Sequence, residues 1–270
     1  MSLPRLTVIT PSLNQGRYLE RTLRSVLDQG YENLEYIVVD GGSTDGSVEL
    51  LERYDDRLAY WVSERDRGQS HALNKGLARA TGDVVAYINS DDYYLPDAFA
   101  SALPLFADPT VEWVAGTCRF VYPDGTVAAV WHPVLPSGNR HHWILAMWSV
   151  PQAACFWRRD VFDRVGGFRE DLDYVFDTEF MLRLAVEGVL PRIVEPELAV
   201  RFLHDAAKSA DRSRFVRETR RVYGLLAGHL TPGERARLRA LRWAGRPIRA
   251  ANWALRSVGL RERPTAAAGS

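Results

Sequence analysis

Val84-Val85-Ala86-Tyr87-Ile88-Asn89-Ser90-Asp91-Asp92 is the stretch from which the rest of this chain is read. An apolar run of this length, halted by two adjacent acids, describes a buried strand that delivers carboxylates to its carboxyl end. In an open α/β sheet that end is where ligands bind, so the acids stand where chemistry happens and not where packing does. Two carboxylates side by side repel unless a cation shares them, and hard oxygen ligands suit Mg²⁺ or Mn²⁺. The pattern points to an enzyme acting on a metal-bound phosphate compound.

The same unit recurs upstream. Leu6–Thr10 reads as a strand ending at Pro11-Ser12-Leu13-Asn14-Gln15-Gly16, and Arg17–Gln29 as a helix with Leu19, Leu23, Val26 and Leu27 on one face. Leu34–Val39 is a second strand, stopping at Asp40-Gly41-Gly42-Ser43-Thr44-Asp45-Gly46. Gly46–Tyr54 is helical, Leu58–Val62 a third strand, Arg65-Asp66-Arg67-Gly68 a turn and Gln69–Ala80 a helix closed by Gly82. Pro96 suits the first position of the helix after the acid pair. Strand–helix alternation of this kind predicts a doubly wound, mostly parallel sheet. Beyond Pro109 the pattern changes. Val111–Tyr122 and Thr126–Trp131 flank Pro123-Asp124-Gly125 as a hairpin. His132–Trp148 reads as loop, Asp160–Val165 and Thr178–Glu187 as helices, and Arg192–Phe202 as a strand. The spacing of Phe176, Phe180 and Leu184 puts Asp177 beside a helix start. From His204 to about Leu260 the chain is helical and basic.

The 270 residues, 46% apolar and 25% charged, fit one large α/β domain with an appendage. The net charge of zero conceals an asymmetry: Arg212 to Arg263 holds 14 Arg against Glu218, Glu234 and Glu262. Such a basic tail prefers anionic surfaces, although an Arg-favouring composition, with Lys only at Lys75 and Lys208, exaggerates it. The first strand begins too early to leave room for a signal peptide, and no apolar stretch approaches the roughly 20 residues of a membrane span. Cys118 and Cys155 lack metal-type spacing. A reduced, cytoplasmic setting is the expectation.

Each motif also has a plainer use. Thr44 or Asp45 can cap a helix, as can Asp92 and Asp177, and Glu179 can pair with Arg183 four residues on. Capping does not explain acids at three successive strand ends, Asp40, Asp66 and Asp91-Asp92. The paired glycines Gly41 and Gly42 let backbone approach a ligand, while the Asp40 carboxylate can accept from a base N–H or a sugar hydroxyl.

Taken together, the residues resemble the family 2 glycosyltransferases, of the nucleotide-diphosphosugar-binding glycosyltransferase A fold. The resemblance rests on Val8-Ile-Thr-Pro-Ser-Leu-Asn14, Tyr36-Ile-Val-Val-Asp-Gly-Gly-Ser-Thr-Asp-Gly46, Asp66-Arg-Gly68, Asn74-Lys-Gly76, Ala80-Thr-Gly82 and Asn89-Ser-Asp-Asp92, in that order. Phe156-Trp-Arg-Arg159, Gly166-Gly-Phe168 and Asp177-Thr-Glu-Phe-Met-Leu-Arg183 extend it, so it covers roughly residues 5–209. It implies a three-layer α/β/α catalytic domain over 1–209, to which the chain's own pattern adds a basic helical extension over 210–263 and a frayed end over 264–270. It also implies inverting transfer of a sugar from a UDP- or GDP-sugar to a hydroxyl acceptor, in bacterial polysaccharide or glycoconjugate synthesis.

By the same resemblance, Pro11, Ser12, Asn14, Asp40, Gly41, Asp66, Asn74, Ser90 and Asp91 fall on the donor side. Asp92 is the direct ligand of a Mn²⁺ or Mg²⁺ ion, with Asp91 beside it. Asp177 is the general base, and this chain carries Phe176 where the family often has a Glu before that aspartate. His204 joins the metal or the diphosphate, and Lys208 the diphosphate. Gln152, Trp157 and Glu179 fall on the acceptor side, near His141, His142, Trp143 and Trp148. A helix N-terminus would lower the pKa of Asp177 and weaken it as a base. The tail, rich in Arg and Trp, is read either as an interfacial helix bringing the enzyme to a lipid-linked acceptor or as an appendage packed on the body or on a second subunit, in a monomer or homodimer. No nucleic-acid module is recognisable. Two rivals compete. A sugar-nucleotide nucleotidyltransferase would want a Gly-rich basic phosphate loop after the first strand, which Pro11–Gly16 is not. A degenerate binding scaffold sits badly with intact acids at 40, 91, 92 and 177.

Overall fold

The computed structural model describes residues 3–133, 150–204, 212–228, 230–233 and 235–236. The chain divides into two compact units, Met1–Gly228 and His229–Ser270. Lys208, the segment 134–149 with His141, His142, Trp143 and Trp148, and the tail beyond 236 lie outside the described residues.

Among the described residues of the first unit nine strands form one sheet, in the order β3-β2-β1-β4-β8-β6-β9-β5 with β7 paired to β6. Their ranges are β1 Leu6–Ser12, β2 Leu34–Asp40, β3 Tyr60–Ser63, β4 Val84–Tyr87, β5 Tyr93–Tyr94, β6 Trp113–Val121, β7 Val127–Trp131, β8 Cys155–Arg158 and β9 Arg192–Phe202. β1 is buried along its whole length and pairs in parallel with β2 on one side and β4 on the other. Strands β1–β4, β6 and β9 all run one way, while β8, β5 and β7 run against them. The registers Ser12↔Asp40 and Asp40↔Ser63 bring the carboxyl ends of β1, β2 and β3 to one rim.

Helices are α1 Gly16–Leu27, α2 Ser47–Arg53, α3 Gln69–Arg79, α4 Ala98–Ala102, α5 Arg159–Val165, α6 Phe176–Val186 and α7 Arg212–Gly228. The two-residue period of β2 sorts them into layers. Tyr36 and Val38 pack with Leu19, Leu23 and Val26 of α1 and Leu50 and Leu51 of α2, whereas Ile37 and Val39 pack with Ala72 of α3. The three-layer sandwich follows. On β4, Tyr87 meets an aromatic group formed by Trp157, Phe168 and Phe176.

Two local expectations change. The helix after the acid pair begins at Ala98 and not at Pro96. Tyr93 and Tyr94 pair with Val200 and Ala199, and the Leu95 N–H donates to the Leu198 carbonyl at 2.9 Å, so the chain stays extended up to the proline. Helix α6 starts two residues earlier than its spacing implied, which puts Asp177 inside its first turn.

The antiparallel β8 has a consequence for the site. Arg158 lies beside Val84, at the end of β4 remote from the rim. From there the chain climbs back through α5 and a loop to α6. The climb is tied to α3: the Asn74 side chain accepts from the Phe168 N–H at 2.9 Å and donates to its carbonyl at 2.8 Å, and the Ser70 hydroxyl donates to the Leu172 carbonyl at 3.1 Å.

Candidate active site

One cleft of about 500 Å³ opens at the rim. Among the sequence candidates it is lined by Pro11, Ser12, Asp66, Ser90, Asp91, Asp92, Gln152 and Asp177, which come from distant parts of the chain.

Asp91 and Asp92 follow β4 in a turn closed by the Asp92 N–H donating to the Asn89 carbonyl at 3.0 Å. Buried Thr22 of α1 braces that turn, its hydroxyl 2.9 Å from the Ser90 carbonyl and 2.6 Å from that of Asp92. The Asp92 carboxylate accepts from the Phe202 N–H at 2.9 Å and from the Asn89 amide at 3.1 Å. Burial first, and then the neighbouring Asp91 charge, raise the Asp92 carboxyl above the usual aspartate range. His204, after β9, sits 2.9 Å from Asp91 through Nε2, with its ring 4.5 Å from that of Tyr18. Its Nδ1 is buried without a partner among the described residues.

Asp177 is half-buried, and its Oδ1 accepts from the Thr178 N–H at 2.6 Å. It does not hold the N-cap position, which falls to Val175, although its carboxylate takes this one amide of the first turn. Contrary to the sequence expectation, its pKa is raised. Burial outweighs the Thr178 N–H and the charge of Arg201, which pull the other way. Loss of solvent therefore wins over the helix N-terminus.

Ser12 ends β1 in the cleft, and its hydroxyl is buried with no partner among the described residues. Asp66 lies against the glycine loop, since a Cβ on Gly41 would stand 2.7 Å from its Oδ2. Its other oxygen accepts from the Gly68 N–H at 2.8 Å. Gln152 reaches the rim before β8, donating to the Tyr87 carbonyl at 2.7 Å.

Other candidates do not line the cleft. Asp40 is fully buried, its carboxylate occupied by the Gly42 and Ser43 N–H groups and by the hydroxyls of Ser43 and Ser63, so it shapes the glycine loop from beneath. Asn14, at φ 52°, joins that loop to the first one: its N–H donates to Ser43 Oγ at 2.7 Å and its side chain accepts from the Thr44 N–H at 2.9 Å. Asn74 is spent on Phe168. Trp157 is core, packed against Tyr87, Trp113 and Phe180 with 1% exposure. Glu179 pairs with Arg183 Nε at 2.9 Å, and Arg183 in turn donates to the carbonyls of Val165 and Gly167. Its ion pair is the plainer use weighed above.

The sequence reading missed Arg201, Tyr174 and Phe215, which also line the cleft. Arg201 of β9 lies over the Phe120 ring at 5.7 Å, and its charge favours ionised Asp92 and Asp177. A basic residue in the largely buried end of β9 carried no signal of where it pointed. Phe215 comes from α7, a helix the sequence assigned to the appendage.

Comparison with known proteins agrees with this architecture. Residues 7–166 match the family Glycosyl transferase family 2. A Mycobacterium tuberculosis glycosyltransferase is 36% identical over 190 residues, 68% of this chain and 70% of that one. A Bacillus subtilis glycosyltransferase, TuaG, whose name refers to teichuronic acid biosynthesis, is 36% identical over 126 residues, 46% of this chain and 50% of its own. Among solved structures, Staphylococcus aureus TarS 1–349 in complex with UDP-GlcNAc superposes with a TM-score of 0.64 at 18% identity, covering 83% of this chain and 66% of that one. The mannosyltransferase PcManGT of Pyrobaculum calidifontis, in complex with GDP-Man and Mn²⁺, superposes at 0.61 with 24% identity over 97% and 82%. These structural likenesses establish the glycosyltransferase A fold. The chain is a glycosyltransferase and belongs to glycosyl transferase family 2.

Proposed function

We propose that this enzyme transfers a sugar, with inversion, from a nucleotide-diphosphate donor to a hydroxyl acceptor in polysaccharide or glycoconjugate synthesis, assisted by a divalent cation. The observation that carries the reading is the convergence of Asp91, Asp92 and Asp177 on one cleft. The UDP-GlcNAc and GDP-Man complexes of the structural neighbours, and the teichuronic acid in TuaG's name, support the donor class and the setting.

The donor set fits a hard cation. Asp91 and Asp92 offer adjacent carboxylates whose mutual repulsion a cation would relieve, and His204 stands beside Asp91. Among the described residues no three His, Cys, Asp or Glu side chains form a complete metal cluster, so donor phosphate and water oxygens would fill the remaining positions. Mn²⁺ in the PcManGT complex supports this. A bound divalent cation neutralises the charge that grows on a departing diphosphate.

The chain's own residues do the rest. Pro11, Ser12, Asp66 and Ser90 line the donor end, where the unpartnered Ser12 hydroxyl is available to the nucleotide. Arg201 adds fixed positive charge that acts on both Asp92 and Asp177. Asp177, its pKa raised, takes the acceptor proton as the hydroxyl attacks. Gln152 stands at the acceptor side. One displacement inverts the anomeric centre and requires no covalent nucleophile. The basic segment after Gly228 is read as contacting anionic membrane near a lipid-linked acceptor.

The test is a thermal-shift series with UDP- and GDP-sugars, with and without Mn²⁺ or Mg²⁺. The wild type is expected to shift with one donor class only when the cation is present, and Asp92→Ala to lose that shift. A cation-independent shift of equal size in both proteins would overturn the metal role.

A further inference from the structure

Helix α7 carries five arginines and a single acid, Glu218. An arginine-rich helix would normally leave its one carboxylate among those cations. Glu218 instead turns to the body. Its carboxylate accepts from the N–H groups of Asp173 at 3.0 Å, Tyr174 at 2.7 Å and Val175 at 3.3 Å. These are the residues leading into α6, Val175 being its N-cap, and Asp177 lies two residues further on.

Amide groups at a helix start have no partners within the helix, and an anionic acceptor there makes short, charge-assisted bonds that the helix dipole reinforces. The N-cap Val175 has no capping side chain and Asp177 takes only the Thr178 N–H of the first turn, so Glu218 supplies the anion on the N-cap amide and the two amides before it. One turn to each side, α7 makes two further contacts. Phe215 lines the cleft, and Arg221 donates to the Asp171 carbonyl at 2.8 Å and pairs with the Asp171 carboxylate. The loop 171–175 is therefore held from above by α7, just before it presents Tyr174 and Asp177 to the cleft.

We propose that α7 is a working part of the active site and that Glu218 is a positioning residue: by holding the backbone of 173–175 it fixes the first turn of α6 and hence the Asp177 carboxylate. The inference rests on the reading of Asp177 as general base.

The experiment uses the full chain, its cation and a panel of UDP- and GDP-sugars turned over to water, with amide hydrogen exchange measured alongside. Glu218→Ala is expected to lower kcat at least ten-fold while KM for the donor stays within two-fold, and to speed exchange at residues 173–178 but not in β4. Glu218→Gln, whose amide oxygen accepts the same N–H groups, is expected to lose less than three-fold. Wild-type exchange at 173–178 in Glu218→Ala would overturn the proposal whether or not turnover is measurable, as would wild-type kcat, or equal losses in the two variants. Asp177→Asn separates the two ideas. If it turns over normally, the base assignment fails. If it is inactive while Glu218→Ala is normal, only the role of Glu218 is lost.

Discussion

A carboxylate takes a proton from a sugar hydroxyl more readily when water no longer competes for its charge, and burial does this for Asp177. The sign of the pH dependence follows. In the role proposed for it Asp177 works ionised, and its folded pKa lies above the roughly 3.9 of free aspartate. kcat should therefore fall as pH drops through an inflection displaced upward from that value, and a profile flat down to about pH 4 would count against the assignment. Asp177→Asn keeps the side-chain shape and removes the basicity. Its transfer rate should drop by roughly 10²–10⁴-fold while the donor-dependent thermal shift remains, as read by nucleotide release beside melting curves. At this scale sequence placed Ser12 and Asp92 at the rim because each follows from a strand end, yet Asp40 ends a strand too and is spent on the glycine loop. Sequence was a poor guide where a side chain's target lies far along the chain. Asn74 and Glu179 carry donor- or acceptor-like chemistry, yet their partners, Phe168 and Arg183, consume it.

Elements are joined at the opposite end of the sheet by a device with no catalytic part. Glu35, 6% exposed near the start of β2, accepts from Thr7 Oγ1 at 2.6 Å, from the Thr81 N–H at 2.7 Å and from Thr81 Oγ1 at 2.6 Å, with Arg5 at 3.1 Å. Burial alone would raise its pKa, but these donors together hold it below the ordinary glutamate value. A lowered folded pKa contributes stability above the unfolded pKa and loses it as pH falls through the folded one. Glu35→Gln should cost about 1–2 kcal/mol at neutral pH, and its deficit in Tm should close below about pH 4. Beside it, a Cβ on Gly82 would lie 2.6 Å from the Thr7 backbone nitrogen, in the central strand, where nothing flexible can yield. Gly82→Ala should cost about 3 kcal/mol, or roughly 6–12 °C in Tm by calorimetry. The Ala80-Thr-Gly82 motif is thereby explained as architecture. Strands and helices of the first half were legible because each buries a face with its own period. β5 was not, because two tyrosines are too few to show one, and α7 was not, because its Arg-rich composition hid which residues turn inward.

At the scale of the whole molecule, the compact first unit runs to Gly228 and takes in α7. A chain ending after Gly228 should retain the donor-dependent thermal shift. Ending at Asp211 removes Glu218 and Phe215, and should leave donor binding but little turnover. Residues 229–270 hold nine Arg against Glu234 and Glu262, and among the described residues no helix is long and apolar enough to cross a membrane. The full chain should sediment with anionic vesicles and the version ending at Gly228 should not, and equal behaviour would dismiss the peripheral-membrane reading. The reversed direction of β8 imposes a further condition. The span from Arg159 to Val175 must be of one length, because it is pinned at Phe168, at Leu172 and at 173–175 and delivers its load only after the last fastening. Inserting a single residue between Val175 and Asp177, past that fastening, would leave the fold standing and the nucleotide end untouched, yet hand the acceptor a different side chain.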